Sequence, residues 1–175
     1  MLDPKYPIGK YEPTSFSTVQ KNKNILIIAQ LPAQIESAVS GLSSSQLHTT
    51  YRENGWTVHQ LVHHILDSHT QAHIRFKLAL TEDNPTIKPY HEDAFVRLAD
   101  VTEIPVQNVL PNLRFVHDRW LILMRSIPDE FWETKSIFHP EKKLQMNLHY
   151  LAGMYAWHSL HHTAHITELR KAKQW

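Results

Sequence analysis

Four histidines fall within eight positions near the C-terminus: His158, His161, His162 and His165. At about 100° per residue they share an arc of roughly 100° on one helical face. Two imidazoles at i and i+4 can turn their ring nitrogens toward one metal ion, as on an HExxH helix. Here the spacing is HxxxH without that glutamate. A third ligand must come from another element. The candidates lie in Trp56-Thr-Val-His-Gln-Leu-Val-His-His-Ile-Leu-Asp-Ser-His69, which holds His59, His63, His64 and His69.

With His158 set at zero, the apolar residues Leu144, Leu148, Leu151, Tyr155, Ile166 and Leu169 centre near about +50° on the wheel. His162 falls at about +40°, inside that arc, and His158 sits at its edge. His165 and His161 lie further out, at about −20° and about −60°. Two polar rings therefore replace aliphatic residues on the inward stripe. Burying them costs free energy unless each is hydrogen-bonded or bound to metal. One such histidine is usually a core-edge residue bonded to a carbonyl or an acid; a pair on the inward stripe favours a metal. His161 and His165 are expected to flank the site or face solvent, with Glu168 a surface acid.

The third ligand is open on periodicity alone. When His64 is set at zero, the apolar stripe of its helix centres near about +100°. His69 lies inside the stripe. His64 lies at its edge with Leu61, Ser68, Gln71 and Arg75. A bundle helix touches two neighbours, so either can face the C-terminal helix. His59, His63 and His73 point more nearly outward, and a solvated position is expected for them. Three neutral imidazoles would leave room for a water or a substrate atom. Zinc is the first expectation, with nickel, iron and manganese as alternatives. Such an ion lowers the pKa of bound water or stabilises a thiolate. Asp67 is a candidate to orient a ligand ring, and Arg75 to hold a substrate carboxylate. Tyr155 and Glu168 are further candidates for proton transfer or orientation.

The remaining composition narrows the class. At 175 residues the chain is long enough for a single domain, 1–175, with a proper core. Lys plus Arg number 18 against 17 acids, so there is no basic field for nucleic acid. No cysteine is present, which excludes disulfides and a thiolate side-chain nucleophile. A cytoplasmic setting is the simplest expectation. No secretory segment or membrane span is visible. Neither GxGxxG nor GxxxxGK[ST] occurs, which argues against a nucleotide fold. Fourteen histidines is far above ordinary usage, and thirteen lie between His59 and His165.

Apolar spacing predicts four long helices, at about 17–41, 56–80, 106–126 and 147–173. Pro32 is expected to kink or break the first, and Pro111 sits in the early turns of the third. Residues 1–17 read as an extended arm and 42–55 as a polar, turn-rich segment. The long 81–104 connection carries a short amphipathic piece near 95–98, and its length suits a cover over the site. Residues 137–146 suit a small hairpin turning at Pro-Glu-Lys-Lys. An all-α, up-and-down four-helix bundle is the expected fold.

Two motifs together carry a family resemblance. Gly-Trp-Thr-Val-His-Gln-Leu-Val-His-His-Ile-Leu-Asp-Ser-His and Trp-His-Ser-Leu-His-His-Thr-Ala-His-Ile-Thr-Glu-Leu resemble the second-helix and last-helix motifs of DinB-like four-helix proteins. Tyr-Pro-Ile-Gly-Lys-Tyr, Ile-Arg-Phe-Lys-Leu-Ala-Leu-Thr-Glu and Lys-Pro-Tyr are similar to the YfiT branch. The resemblance implies a cytoplasmic homodimer with one divalent metal per subunit on His64, His158 and His162. It also implies a metal-dependent hydrolase acting on a small hydrolysable substrate. The same branch also resembles bacillithiol S-transferases, which join that thiol to a small electrophile. The competing expectations are a non-catalytic metal-binding or ligand-sensing bundle, and a structural dimer whose histidines are satisfied without metal.

Overall fold

A computed structural model describes residues 3–175; Met1 and Leu2, at the start of the expected arm, lie outside it. Four long helices form the frame: α1 (Thr18–Val39), α3 (Val58–Thr81), α6 (Val106–Ser126) and α8 (Leu148–Lys173). Short helices fill the connections: α2 (Ser44–Leu47), α4 (Glu92–Phe95), α5 (Ala99–Glu103) and α7 (Phe131–Thr134). The expected hairpin is present as β1 (Ser136–His139) and β2 (Leu144–Asn147), antiparallel with Ile137 opposite Met146.

The helix starts follow from capping chemistry. The Ser17 hydroxyl accepts from the Gln20 amide at the start of α1. Thr57 and Gln60 form a reciprocal capping box on α3, and Asn147 caps α8. Each side-chain oxygen satisfies an amide that has no partner inside its helix. Pro32 does not break α1, contrary to expectation. It is buried in the bundle, where packing on both sides outweighs the lost backbone bond.

The topology differs from the expected up-and-down order. α1 packs on α8 and α6, and α3 packs on α6 and α8, so α1 sits diagonally from α3 and α6 from α8, while α3 and α6 are neighbours. Two apolar clusters give the directions. One holds Ile28, Phe76, Trp120, Trp132, Leu151 and Tyr155, and the other Leu31, Ile35, Leu61, Ile65, Leu113 and Ile166. α1 and α8 run from the first cluster to the second; α3 and α6 run the opposite way. The 82–105 connection must therefore return along the length of the bundle, which is why it is long.

Histidines fasten that crossover. His59 Nε2–H donates to the Val101 carbonyl, and His63 Nε2–H donates to the Ile104 carbonyl at 3.0 Å. Gln60 donates to the Val96 carbonyl at 3.1 Å, and Trp56 donates to Asp93 Oδ1 at 2.9 Å. His59, His63 and His73 are thus buried rather than solvated. The reason is local: α3 has a third surface, under the crossover, that a two-neighbour wheel does not include.

The arm lies on α8. Trp157 donates to the Gly9 carbonyl at 3.1 Å, and His149 donates to the Thr14 carbonyl at 3.0 Å. Gly153 permits this approach, because a Cβ there would stand 2.6 Å from the Tyr11 hydroxyl. Replacing both His59 and His63 with alanine should cost about 1–3 kcal/mol per unsatisfied carbonyl. Hydrogen exchange should quicken across 96–104 while α1 and α8 keep their protection. Unaltered exchange in the crossover would count against this anchoring.

Candidate metal centre

A layer of histidines divides the two apolar clusters. On α3 it is His69, between Ile65 and Ala72; on α6 it is His117, between Leu113 and Trp120; on α8 it is His158 to His165, between Ala156 and Ile166. His69 and His117 are 0% and 1% exposed, so their protons must be satisfied inside the protein.

Three ring nitrogens converge at one edge of this layer. His158 Nε2 lies 3.2 Å from His64 Nε2 and 3.0 Å from His162 Nε2. Two ligands held at ~2.0–2.1 Å from one ion stand about 2.8–3.4 Å apart over octahedral to tetrahedral angles, so both separations fit. Trp56 packs on His64 with ring centroids 4.6 Å apart.

His69 stands behind this group and bonds to the other face of His158. His158 Nδ1 is 3.1 Å from His69 Nε2, and His69 Nδ1 is 3.0 Å from His117 Nε2. His117 Nδ1 is 2.9 Å from the Ile28 carbonyl. That carbonyl can only accept, so His117 carries its proton on Nδ1 and leaves Nε2 bare. His69 must then be protonated on Nδ1 and bare on Nε2. His158 in turn is protonated on Nδ1, and its Nε2 lone pair faces His64 and His162. Pro32 contributes directly: it has no N–H to offer the Ile28 carbonyl one turn earlier.

This series of bonds requires neutral rings, and the surroundings supply them. Burial pushes His64 down to about 4 and His117 down to about 4. Burial, then neighbouring imidazoles, hold His69, His158 and His162 well below the usual histidine range. One lone pair on His158 cannot properly accept from two N–H groups at once. A cation between the three Nε2 atoms resolves this, so the residues present fit a metal.

His161, His162 and His165 form a second group with ligand atoms within 4.8 Å of one another. His161 and His165 are buried, not surface flanks, and their Nε2 atoms are 3.1 Å apart. A single N–H···N bond accounts for the contact between those two Nε2 atoms without an ion. Trp157 stacks on His161, and Tyr51 lies against His165. The Nδ1 atoms of His161 and His162 are buried without partners.

The other sequence candidates separate. Asp67 makes no hydrogen bond to any of these rings; burial, then Asp100 of the crossover, push it up to about 6. It is one residue out of phase with Ser68, which does reach the site edge, 3.5 Å from His158 Nε2. Glu168 is exposed on α8. Arg75 and Tyr155 are joined, with Arg75 Nη1 donating to the Tyr155 hydroxyl at 2.9 Å. Both line a cavity of about 310 Å³ that opens beside His158. Sequence reasoning did not single out His117. Its signal was present, as one more histidine on the apolar stripe of its helix between Leu113 and Trp120.

This arrangement has a family. The DinB superfamily pattern matches residues 27–166. The chain belongs to the DinB superfamily. Within it, the chain is 44% identical over 171 residues to the "Putative metal-dependent hydrolase YfiT" of Bacillus subtilis (strain 168), covering 97% of this chain and 96% of that one. It is 46% identical over 176 residues to a "Putative metal-dependent hydrolase" of Bacillus cereus, covering 100% of both. The solved structure of Bacillus subtilis YfiT superposes with a TM-score of 0.95 at 43% identity, covering 99% of each chain. That protein is described as a probable metal-dependent hydrolase with an unusual four-helix bundle topology. Here the departure from a simple bundle is the diagonal placement of α1 against α3 and of α6 against α8, with α3 and α6 adjacent and parallel.

In chelator-treated protein, long-range ¹H–¹⁵N spectra at neutral pH should show His69 and His117 as Nδ1–H tautomers. His117 should protonate only near about 4, whereas the unfolded chain takes up the same proton near ~6.5. Its folded pKa is depressed, so stability is flat above ~6.5 and falls as pH drops from there toward 4. The loss reaches about 3 kcal/mol for this group. A proton found on His117 Nε2 would break the chain of assignments.

Proposed function

We propose that this protein is a metal-dependent enzyme in which His64, His158 and His162 hold one divalent ion per chain. The observation that carries the reading is the His158 Nε2 lone pair, aimed by His69 and His117 at the two other Nε2 atoms. An all-imidazole donor set suits zinc first and nickel second. Held by three imidazoles, such an ion would supply Lewis-acid chemistry that favours an ionised nucleophile: water for hydrolysis, or a small thiol such as bacillithiol for S-transfer to an electrophile.

The chain's own residues do the positioning. His69 holds the His158 ring in plane and fixes its proton on the far side. Trp56 covers one face of His64, so solvent and substrate approach from the cavity lined by Ser68, Tyr155 and His158. With no cysteine in the chain, a thiol would arrive as a cosubstrate. Support for hydrolysis comes from the names of the relatives; support for S-transfer comes from the branch resemblance in the two motifs.

A cytoplasmic homodimer completes the reading. No helix among the described residues is long and apolar enough to cross a membrane. Val19 and Leu26 of α1, with Phe115 and Ile122 of α6, are exposed on two adjacent helices. Each pair is seven residues apart and so shares a face of its helix. Exposed apolar residues repeated this way suit burial against a second copy.

Elemental analysis should find about one ion per wild-type chain and essentially none in His64→Ala, His158→Ala or His162→Ala. His69→Phe should still bind at saturation, about 10–100-fold more weakly. Loss of the ion in the His69 variant alone would overturn the ligand set. A chloro-dinitrobenzene-type electrophile with bacillithiol then separates thiol transfer from ester or amide cleavage. In sedimentation runs the wild type should be dimeric and Phe115→Glu/Ile122→Glu monomeric. A dimer unmoved by both charges would refute this contact face.

A further inference from the structure

The cavity beside His158 contains a cation that makes no direct ion pair. Arg75 is 8% exposed, and its one recorded hydrogen bond goes to a neutral hydroxyl, that of Tyr155. Among the described residues the ion pairs are Lys21–Asp129 and Arg114–Glu36, so no carboxylate pairs directly with Arg75; Glu92, on the rim of the same cavity, is close enough to feel its charge. A guanidinium stays charged and offers five N–H donors in a planar fork. Burying one without a directly paired anion is unfavourable unless an incoming group fills that place.

A second group in the same wall is also unsatisfied. The Tyr90 hydroxyl is buried without a well-formed hydrogen bond, with the Ser68 hydroxyl close beside it. Tyr90, Arg75, Ser68 and His158 line the one cavity of about 310 Å³. Its rim is charged in both senses, with Lys142 against Glu92 and Glu141, all exposed.

We propose, resting on the metal-centre reading above, that this cavity is the substrate subsite for a small carboxylate-bearing molecule. Its carboxylate sits on the free edge of Arg75 and the Tyr90 hydroxyl, and its reacting end lies toward His158. The planar fork matches a carboxylate with two parallel N–H···O bonds. The two rim carboxylates disfavour a dianion such as phosphate, whereas a monoanion is neutralised by Arg75 alone. The volume is at the small end of ligand cavities, which suits a small metabolite rather than a polymer.

The test is an NMR titration of zinc-treated protein with propionate, following the Arg75 Nε–H resonance, with inorganic phosphate run in parallel. Propionate should shift that resonance saturably. Arg75→Gln should weaken binding on the order of tenfold or more, and Tyr90→Phe several-fold. Equal affinity in Arg75→Gln, or an Arg75 resonance that propionate does not move, overturns the subsite. Arg75-dependent binding of phosphate tighter than that of propionate overturns the carboxylate class. Should Arg75→Gln not fold, the wild-type resonance and Tyr90→Phe decide. Zinc content in the same samples keeps the two readings apart. Arg75-dependent propionate binding without zinc supports the subsite and sinks the metal centre; zinc with no propionate response does the reverse.

Discussion

The proton on His117 Nδ1 is the constraint from which the rest of the site follows. It is held by the Ile28 carbonyl, an acceptor that no protein group can convert into a donor. Three neutral imidazoles in series then have only one consistent set of tautomers. The last of them presents a bare nitrogen to the two rings across from it. Pro32 is part of this device, since a residue with an N–H at that position would compete for the same oxygen. A residue that reads as a helix breaker in α1 thus bears on the lone pair of a histidine in α8.

The cost of the arrangement is visible in the core. Hydrophobic packing is split into two clusters, with a polar layer where continuous aliphatic contact would be more stabilising. The layer is tolerated because nearly every nitrogen in the inner chain has a partner, and because burial keeps the rings uncharged. Stability is recovered at both ends, by Phe76 between Trp120 and Trp132 on one side and by Ile35, Leu61 and Leu113 on the other. The layer is rigid inside and open only at its edge, where the Arg75 cavity meets His158.

Much of the frame was legible from local chemistry. The long helices begin within two residues of where caps and apolar spacing put them, and the hairpin turns at Pro-Glu-Lys-Lys. His158 and His162 were legible as an inward pair because i, i+4 spacing acts within one helix. Asp67, His59 and His63 were misjudged for a common reason. A helical wheel gives angle but not neighbours, and the crossover adds a neighbour that periodicity in α3 does not encode.

The chain alone determined what is short-range: helix extents, caps, the stacked imidazoles of α8, and the absence of any thiolate. These depend on residues within a turn of one another, where backbone geometry is fixed. Only tertiary structure decided that α3 lies between α6 and α8 with the crossover on its outer side. That placement sends His64 to the edge beside His158 and His162, and His69 to the interior between His158 and His117. The two side chains are five residues apart on one helix, and their different duties come from which helix each one faces.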